Sequence, residues 1–175
     1  MTLKTLDKPS GTSQIIADSS PLIALAISGL FTHLPDLCGE VWVPQQVLNE
    51  CLAKEGVPGF AEIQKLAKDG IIHVHSDFPE SDEMIKGLSH LLDPGEAQAI
   101  KLALMYQSVL LIDEKSGRST AKSFGISVTG SLAVLLKAKK TGVIPSVKSV
   151  VEKLQLHNYR YSKALTAQLL EKAGE

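Results

Sequence analysis

Short apolar runs alternate along the chain with longer segments in which apolar positions recur every three or four residues. The short runs, bounded by turn-forming residues, predict buried strands, and the longer periodic segments predict helices. The predicted strands lie at residues 14–17, 41–43, 71–75, 109–112 and 125–128. Strands that alternate with helices favour a parallel sheet covered on both faces. The sequence therefore predicts an α/β fold of three layers, with helices on both sides of a central parallel sheet.

Helix-start signals fit this alternation. Pro21 comes shortly after the first predicted strand and Pro44 directly after the second, and proline is favoured in the first turn of a helix. Further helices are predicted at residues 93–106, 114–124, 130–140, 146–156 and 162–172. No internal repeat or linker interrupts the pattern. We therefore expect one domain over residues 14–175, preceded by a flexible lead-in at residues 1–13.

The composition supports a single core and narrows the classes of protein. Of the 175 residues, 44% are hydrophobic, which is enough for a core without disulfide bonds. The 18 basic and 19 acidic residues give a net charge of −1, so any contact with nucleic acid must be local. Cys38 and Cys51 lack metal-binding spacing and are predicted to be free thiols. Without a leader or an apolar run of about 20 residues, a cytoplasmic protein with no membrane segment is expected.

Two carboxylates follow predicted strands directly. Asp18 comes after the first strand and Asp113 after the fourth, and the carboxyl ends of parallel strands are where open sheets bind ligands. Asp113 has an ordinary alternative role as the cap of the helix that follows it. Asp18 is less easily explained in that way, because Ser19 or Ser20 is better placed to cap the helix containing Pro21.

Two glutamates extend the acidic set, and each has a structural alternative. Asp93 and Glu96 have the spacing of a capping box, yet Glu96 also shares a helical face with apolar residues and should point inward. Glu50 falls to one side of an apolar stripe and could form a surface pair with Lys54. From spacing alone, the cap and the surface pair are the favoured interpretations.

Carboxylates without a competing set of cysteines and histidines point to a hard divalent cation such as Mg²⁺ or Mn²⁺. Such a cation can activate water and stabilise the charge of a displaced phosphate oxygen. Lys115, Arg118 and Lys122 follow Asp113 at helical spacing, which is typical of a solvated face but would also suit phosphate contact. His73 and His75 alternate on one predicted strand and are interpreted as structural or surface residues.

Four acidic motifs in the same order resemble those of the PIN-domain family. The first begins Asp18-Ser19-Ser20-Pro21, the second leads from Val43-Pro44 to Glu50, the third is Gly95-Glu96-Ala97, and the fourth is Leu111-Ile112-Asp113. The segment at residues 128–139 and the tail at 169–175 are similar to a prokaryotic branch that is often paired with antitoxins. The resemblance runs from residue 15 to residue 175, and the order of the four motifs is more specific than any one of them.

This resemblance implies a function as well as a fold. It implies Mg²⁺- or Mn²⁺-dependent hydrolysis of RNA by the toxin of a VapBC-like toxin–antitoxin pair, acting on single-stranded or tRNA-like substrates. A cognate antitoxin and a homodimer are the implied partners. By the resemblance, Asp18, Glu96 and Asp113 bind metal, and Glu50 completes the catalytic pocket. The implied substrate-binding residues are Ser19, Lys115, Arg118 and Thr129.

The chain departs from the family pattern at several positions, and other interpretations stay open. Glu96 stands where many members have Asp, Glu114 could substitute for a neighbouring acid, and Gly117 should cost the helix roughly 1 kcal/mol. The main alternative is a catalytically degenerate PIN domain that binds RNA or protein. A haloacid-dehalogenase-like phosphatase is disfavoured because Ser20 stands where those enzymes carry a second Asp. A nucleotide-triphosphate switch is disfavoured because no P-loop is present.

Overall fold

Five parallel strands form the central sheet of the protein. The computed structural model describes residues 13–53 and 55–175. Its strands are β1 (Gln14–Ala17), β2 (Glu40–Pro44), β3 (Ile72–His75), β4 (Val109–Leu111) and β5 (Val128–Thr129). They lie in the order β3-β2-β1-β4-β5, and every neighbouring pair is parallel. The predicted α/β fold with a central parallel sheet is confirmed.

Helices cover the sheet and follow most of its strands. Among the described residues the α-helices are α1 (Ser19–Ser28), α2 (Leu34–Cys38), α3 (Gln45–Cys51), α4 (Phe60–Lys68), α5 (Glu83–Ser89), α6 (Pro94–Tyr106), α7 (Lys115–Ser123), α8 (Ser131–Lys140), α9 (Val147–Leu156) and α10 (Lys163–Ala173). A single 3₁₀ turn, Phe31–His33, joins α1 to α2. The seven helices expected from the sequence are present, with ends shifted by one or a few residues.

The central strand β1 and its neighbour β4 lie in the hydrophobic core. Ile16 of β1 and Leu110 of β4 are fully buried, as are Ala99 and Ile100 on α6. A continuous apolar strand is what a parallel sheet covered on both faces requires, because neither face meets water. This packing fixes the position of the residues that follow β1 and β4.

The chain changes direction across the sheet between β1 and β4. From β1 it proceeds through β2 to β3 on one side, and it then returns to place β4 and β5 on the other side. The backbone N–H of Asp18 donates to the carbonyl of Leu111 at 2.9 Å, so the pairing of β1 with β4 extends one residue past Ala17. In open parallel sheets, the crevice at such a switch point is where ligands bind.

Some elements differ from the sequence prediction. The last strand is shorter and later than expected, and helices α2, α4 and α5 were not predicted. Two of these helices fall between the second and third acidic motifs, where glycine, proline and charged residues obscure the periodicity. Helix α5 begins at a cap that the sequence does contain, since Asp82 accepts hydrogen bonds from the N–H groups of Met84 and Ile85. Residues 1–12 of the lead-in expected at residues 1–13, and Lys54, lie outside the described residues.

Two further features concern cysteines and membrane spans. Cys38 and Cys51 are both free thiols, half-buried and buried respectively. In residues 13–53 and 55–175, no single helix has the length and apolar composition to cross a membrane. Within the same residues, the segments Ser19–Ser28 and Phe31–Cys38 reach that length and composition when they are combined, across a bend of 111°.

Candidate functional site

Asp18 lies at the carboxyl end of β1 as the residue that precedes helix α1. It takes the N-cap position itself, and Ser19 and Ser20 already belong to the helix, contrary to the expectation that a serine caps it. Only 3% of Asp18 is exposed, and its Oδ1 atom is buried with no hydrogen-bond partner in the described structure. A buried carboxylate oxygen without a partner is costly, so its retention calls for a functional explanation.

The environment of Asp18 favours its neutral form. Burial is the main cause, and it raises the pKa of Asp18 to about 7. The negative charges of Glu96 and Glu50 raise this pKa further, whereas the backbone N–H groups of Ser19 and Ser20 lower it. A carboxyl group that titrates near neutral pH beside two other acids is typical of a functional site.

Glu50 points toward the beginning of helix α6 and does not act as a solvated surface residue. Its Oε1 atom accepts hydrogen bonds from the backbone N–H of Gly95 at 2.9 Å and from Gln46 Nε2 at 3.1 Å. A Cβ at Gly95 would overlap the Glu50 carboxylate, so a larger residue there would displace that side chain from this contact. The favoured interpretation of Glu50 as a surface residue was therefore wrong, and the side chain is directed into the acidic cluster.

Glu96 combines both of the roles that its spacing allowed. Its Oε2 atom accepts from the backbone N–H of Asp93 at 3.3 Å, which is the glutamate half of a capping box. The side chain is nevertheless 7% exposed and faces inward. Burial is the main cause of its raised pKa, to which the charges of Asp93, Glu114 and Glu50 also contribute.

Gly117 is the reason that helix α7 can approach Glu96. A Cβ at Gly117 would lie 2.8 Å from Glu96 Oε1 and still closer to the Ile112 side chain, which is fully buried. Glycine has a low helix propensity, but the contacts at this position leave no room for a Cβ. The departure from the family pattern noted in the sequence has a structural cause.

We expect Gly117→Ala to destabilise the protein although alanine is the better helix former. Overpacking against Glu96 and Ile112 costs about 1–3 kcal/mol, and the propensity gain of about 1 kcal/mol offsets part of it. Gly87→Ala in α5 is the matched control, because Gly87 is an exposed helical glycine and a methyl group added there would meet no atom within 4 Å. Urea unfolding should show Gly87→Ala stabilised and Gly117→Ala destabilised; equal stabilisation of both would contradict the close approach.

Asp113 is held by helix α8. Its Oδ1 atom accepts from the backbone N–H of Ser131 at 2.8 Å, and its Oδ2 atom accepts from Ser131 Oγ at 2.6 Å. The alternative role of Asp113 as the cap of the next helix is excluded, since Glu114 is the N-cap of α7. Burial raises the pKa of Asp113, and the two bonds from Ser131 together with the charge of Arg118 oppose the rise.

Two tyrosines from the segment between α9 and α10 close the site. The Tyr161 hydroxyl lies 3.0 Å from Ser131 Oγ, so it continues the chain of hydrogen bonds to Asp113. The Tyr159 hydroxyl donates to the carbonyl of Ser20 and lies 3.1 Å from Ser20 Oγ. Burial raises the pKa of both tyrosines, and the charge of Asp113 adds to the rise in each case. Both phenols are therefore neutral at physiological pH.

The residues expected to contact substrate occupy different environments. Arg118 turns inward, where its Nη1 atom donates to the carbonyls of Ile112 at 2.7 Å and Thr129 at 2.9 Å. Thr129 is half-buried at the end of β5, and Lys115 is exposed at the start of α7. Ser19 is half-buried, and its carbonyl is 3.9 Å from the Cys51 thiol.

The four acids form two adjacent groups. Asp18, Glu50 and Glu96 influence one another electrostatically, and Asp113 lies beside Ser131, Arg118 and Tyr161. Tyr159 lies near both groups, because the charges of Asp113 and Asp18 both contribute to its raised pKa. Within the described residues, no three Asp, Glu, His or Cys side chains converge closely enough to hold a metal ion as they stand.

Several residues around the acids were not identified from the sequence. Ser131 lies within the motif at 128–139, but its spacing does not reveal that it holds Asp113. The Tyr-Arg-Tyr sequence at 159–161 is a usable signal, because two aromatic residues outside any predicted helix need a partner in the fold. Cys51 is buried beside Asp18 and Glu50, whose charges add to the effect of burial in raising its pKa to about 12. Such a thiol is neutral at physiological pH.

Comparisons with known proteins identify the family of the chain. A family model described as DUF3368, PIN domain, matches residues 14–175. Among solved structures, a PilT N-terminus domain protein from the hyperthermophilic archaeon Sulfolobus solfataricus P2 is similar, with a TM-score of 0.45 and 12% sequence identity. That likeness covers 69% of this chain and 89% of the archaeal chain. No curated protein matches the sequence. The family model spans all five strands and all four acids.

Proposed function

The chain belongs to the PIN-domain family described as DUF3368, and on that premise we propose that it is a divalent-metal-dependent ribonuclease. PIN domains are typically nucleases that use divalent metal ions. The finer proposal is that this chain hydrolyses RNA phosphodiester bonds with Mg²⁺ or Mn²⁺. As the resemblance implies, it would do so as the toxin of a type II toxin–antitoxin pair.

The observation that carries the proposal is the state of Asp18. A carboxylate that is 3% exposed, with one oxygen unpartnered and two other acids raising its pKa, lacks the positive charge that would stabilise its ionised form. A cation bound at this point would supply that charge. None of the described basic side chains hydrogen-bonds to the unpartnered oxygen.

The donor chemistry of the site fits a hard divalent ion. Asp18, Glu96 and Asp113 would hold it through carboxylate oxygens, with Glu50 beside them. Since these side chains do not converge as they stand, binding requires them to move toward one another. A bound divalent ion supplies Lewis-acid chemistry, which lowers the pKa of a water molecule and stabilises the negative charge on a phosphate oxygen.

The residues around the acids have two proposed roles, since some hold Asp113 in place and others contact the substrate. Ser131 donates a hydrogen bond to the Asp113 carboxylate, and the Tyr161 hydroxyl contacts Ser131. The inward-facing Arg118 donates to the carbonyls of Ile112 and Thr129, which connects the ends of β4 and β5 beside Asp113. Lys115 is exposed at the start of α7 and is proposed to contact a flanking phosphate. Ser19 and Thr129 are proposed to line the approach to the acids.

The proposed substrate is single-stranded or tRNA-like RNA. A net charge of −1 gives no global attraction for nucleic acid, so recognition would be local and selective. A cognate antitoxin and a second copy of the chain are the proposed partners. We propose the cytoplasm as the location, where RNA is present.

One observation favours a second candidate function. The described acids do not converge on one point, and Glu50 and Glu96 both hydrogen-bond to backbone N–H groups at the start of α6. A PIN domain whose acids serve only these structural bonds would be a degenerate member that binds RNA or protein without cleaving it.

Incubation of the purified protein with a mixed pool of single-stranded RNA and tRNA separates the two candidates. We expect cleavage with Mn²⁺ or Mg²⁺ and none with EDTA, because the acids need the ion to act. Titration of Mn²⁺ into the RNA-free protein, followed by calorimetry, is the matched binding measurement. Cleavage that persists in EDTA would contradict the metal-dependent proposal, and the absence of both cleavage and Mn²⁺ binding would establish the degenerate module.

A further inference from the structure

A groove of about 410 Å³ runs between helices α8 and α10 and opens beside Asp113. Its walls are mostly aliphatic, with Leu132 and Leu136 on α8 and Leu165 on α10. Leu165 is 43% exposed although it is a large apolar residue. An apolar cavity of this size, with a few polar groups at its ends, has the features of a small-molecule site.

We propose that this groove is a nucleotide-binding subsite that holds the base and ribose of the nucleotide next to the scissile phosphate. The inference rests on the proposed function for its place in the reaction, since it assigns one nucleotide of the RNA to a defined cavity. The aliphatic walls would contact the two faces of the base, and the amide of Gln168, which also lines the groove, can pair with polar atoms on the base edge.

The polar residues of the groove match a nucleotide in charge. Arg118 lines the end near the acids, and Lys172 lies on α10. Together they outnumber Asp113, the one carboxylate of the lining, so the groove carries a net positive charge that suits a phosphate in a chain whose overall net charge is −1. An aliphatic segment of a protein partner would not require them.

The groove is continuous with the candidate site. Asp113 both lines the groove and accepts the hydrogen bonds from Ser131. Tyr161 also lines the groove, and its hydroxyl is 3.0 Å from Ser131 Oγ, so its position is fixed relative to Asp113. A nucleotide seated here would therefore have its phosphate at the end of the groove where Asp113 lies.

Ala133→Trp tests the subsite directly, because Ala133 is exposed and lines the groove. The added indole should fill the cavity without entering the core. Ala167→Trp is the matched control, since Ala167 is exposed on α10 and is not part of the groove lining. Leu165→Glu is a second variant, which adds a negative charge at an exposed wall residue. Thermal unfolding checks that each variant is folded.

Ligand-observed NMR would measure binding of AMP, GMP, CMP and UMP in the presence of EDTA. We expect at least one nucleotide to bind the wild type and Ala167→Trp equally, and to bind Ala133→Trp and Leu165→Glu at least tenfold more weakly. No nucleotide binding by the wild type, or undiminished binding by both groove variants, would overturn the proposal. Either outcome would show that the groove does not hold a nucleotide.

The same variants separate this inference from the proposed function. Metal-dependent cleavage of RNA that is unchanged in Ala133→Trp and Leu165→Glu would refute the subsite while the nuclease stands. Nucleotide binding that is lost in both variants, together with no cleavage by the wild type in any metal, would establish a nucleotide site in the groove and refute the nuclease.

Discussion

Asp18→Asn is expected to abolish metal-dependent RNA cleavage and, at the same time, to make the protein more stable at neutral pH. Cleavage should fall by roughly three orders of magnitude, because the variant removes a ligand charge whose effect on the barrier is several kcal/mol. Stability should rise because the charge that is lost is buried and unpartnered. Substitution of a residue with only a structural role would not lower the activity and raise the stability at the same time.

The pH dependence of stability follows from the same residue. The pKa of Asp18 rises from 3.8 to about 7 in the fold, so the folded protein holds a proton that the unfolded chain releases above pH 4. Stability therefore declines as the pH increases from about 4 to 7, by on the order of 4 kcal/mol at most. Asparagine removes this decline. With part of the penalty kept by the unpartnered amide, we expect a gain of roughly 2 kcal/mol at pH 8, or about 4–8 °C in Tm.

Thermal unfolding in EDTA at several pH values measures this effect, with RNA cleavage measured in parallel. Asp69→Asn, which removes an exposed carboxylate at the end of α4, is the control and should leave both quantities nearly unchanged. Mn²⁺ should stabilise the wild type and Asp69→Asn but not Asp18→Asn. Undiminished cleavage by Asp18→Asn would refute its assignment as a metal ligand, and a lower Tm at pH 8 would refute the account of its burial.

Asp113→Asn should abolish cleavage by a similar factor of about a thousand, with almost no change in stability. The reason is the geometry around Ser131. An asparagine oxygen can accept from the Ser131 N–H, and its amide can donate to Ser131 Oγ once that hydroxyl turns. Because both contacts survive, we expect the unfolding free energy to change by less than about 1 kcal/mol.

The two asparagine variants differ in a measurable way. Asp113→Asn should keep the decline in stability between pH 4 and 7 that Asp18 causes, whereas Asp18→Asn should keep only the decline that the raised pKa values of Glu96 and Asp113 cause. A large loss of stability in Asp113→Asn would show that the carboxylate charge, rather than its hydrogen-bond geometry, holds α8. Cleavage at the wild-type rate would remove Asp113 from the site.

The fold was largely predictable because its strands are buried on both faces. Such strands appear in the sequence as uninterrupted apolar runs, and the strand after Ser13 and the one before Asp113 were located almost to the residue. Helices α4 and α5 were missed because each is short and has only two buried side chains. Their apolar patterns are too short to be distinguished from the surrounding segments, which are rich in glycine and charged residues.

The candidate site was predictable in membership but not in arrangement. Strand ends identify Asp18 and Asp113 because parallel strands bring their carboxyl ends to one edge. What spacing does not contain is the partner of each carboxylate. Ser131 for Asp113, Gly95 for Glu50 and the absence of a partner for the Oδ1 atom of Asp18 all depend on how distant segments pack together. For the same reason Gly117 looked like a weak point of α7, when it makes room for Glu96.

The switch of direction between β1 and β4 has a consequence for the protein during its synthesis. Asp18 and Asp113 become neighbours only when β4 pairs with β1, and more than half of the chain separates them. Ser131 and Tyr161, which hold Asp113, emerge from the ribosome later still. Domains are made from their amino end, so a nascent chain that ends before α8 carries Asp18 without a complete site. An activity that needs all of these residues would require synthesis to have passed Tyr161.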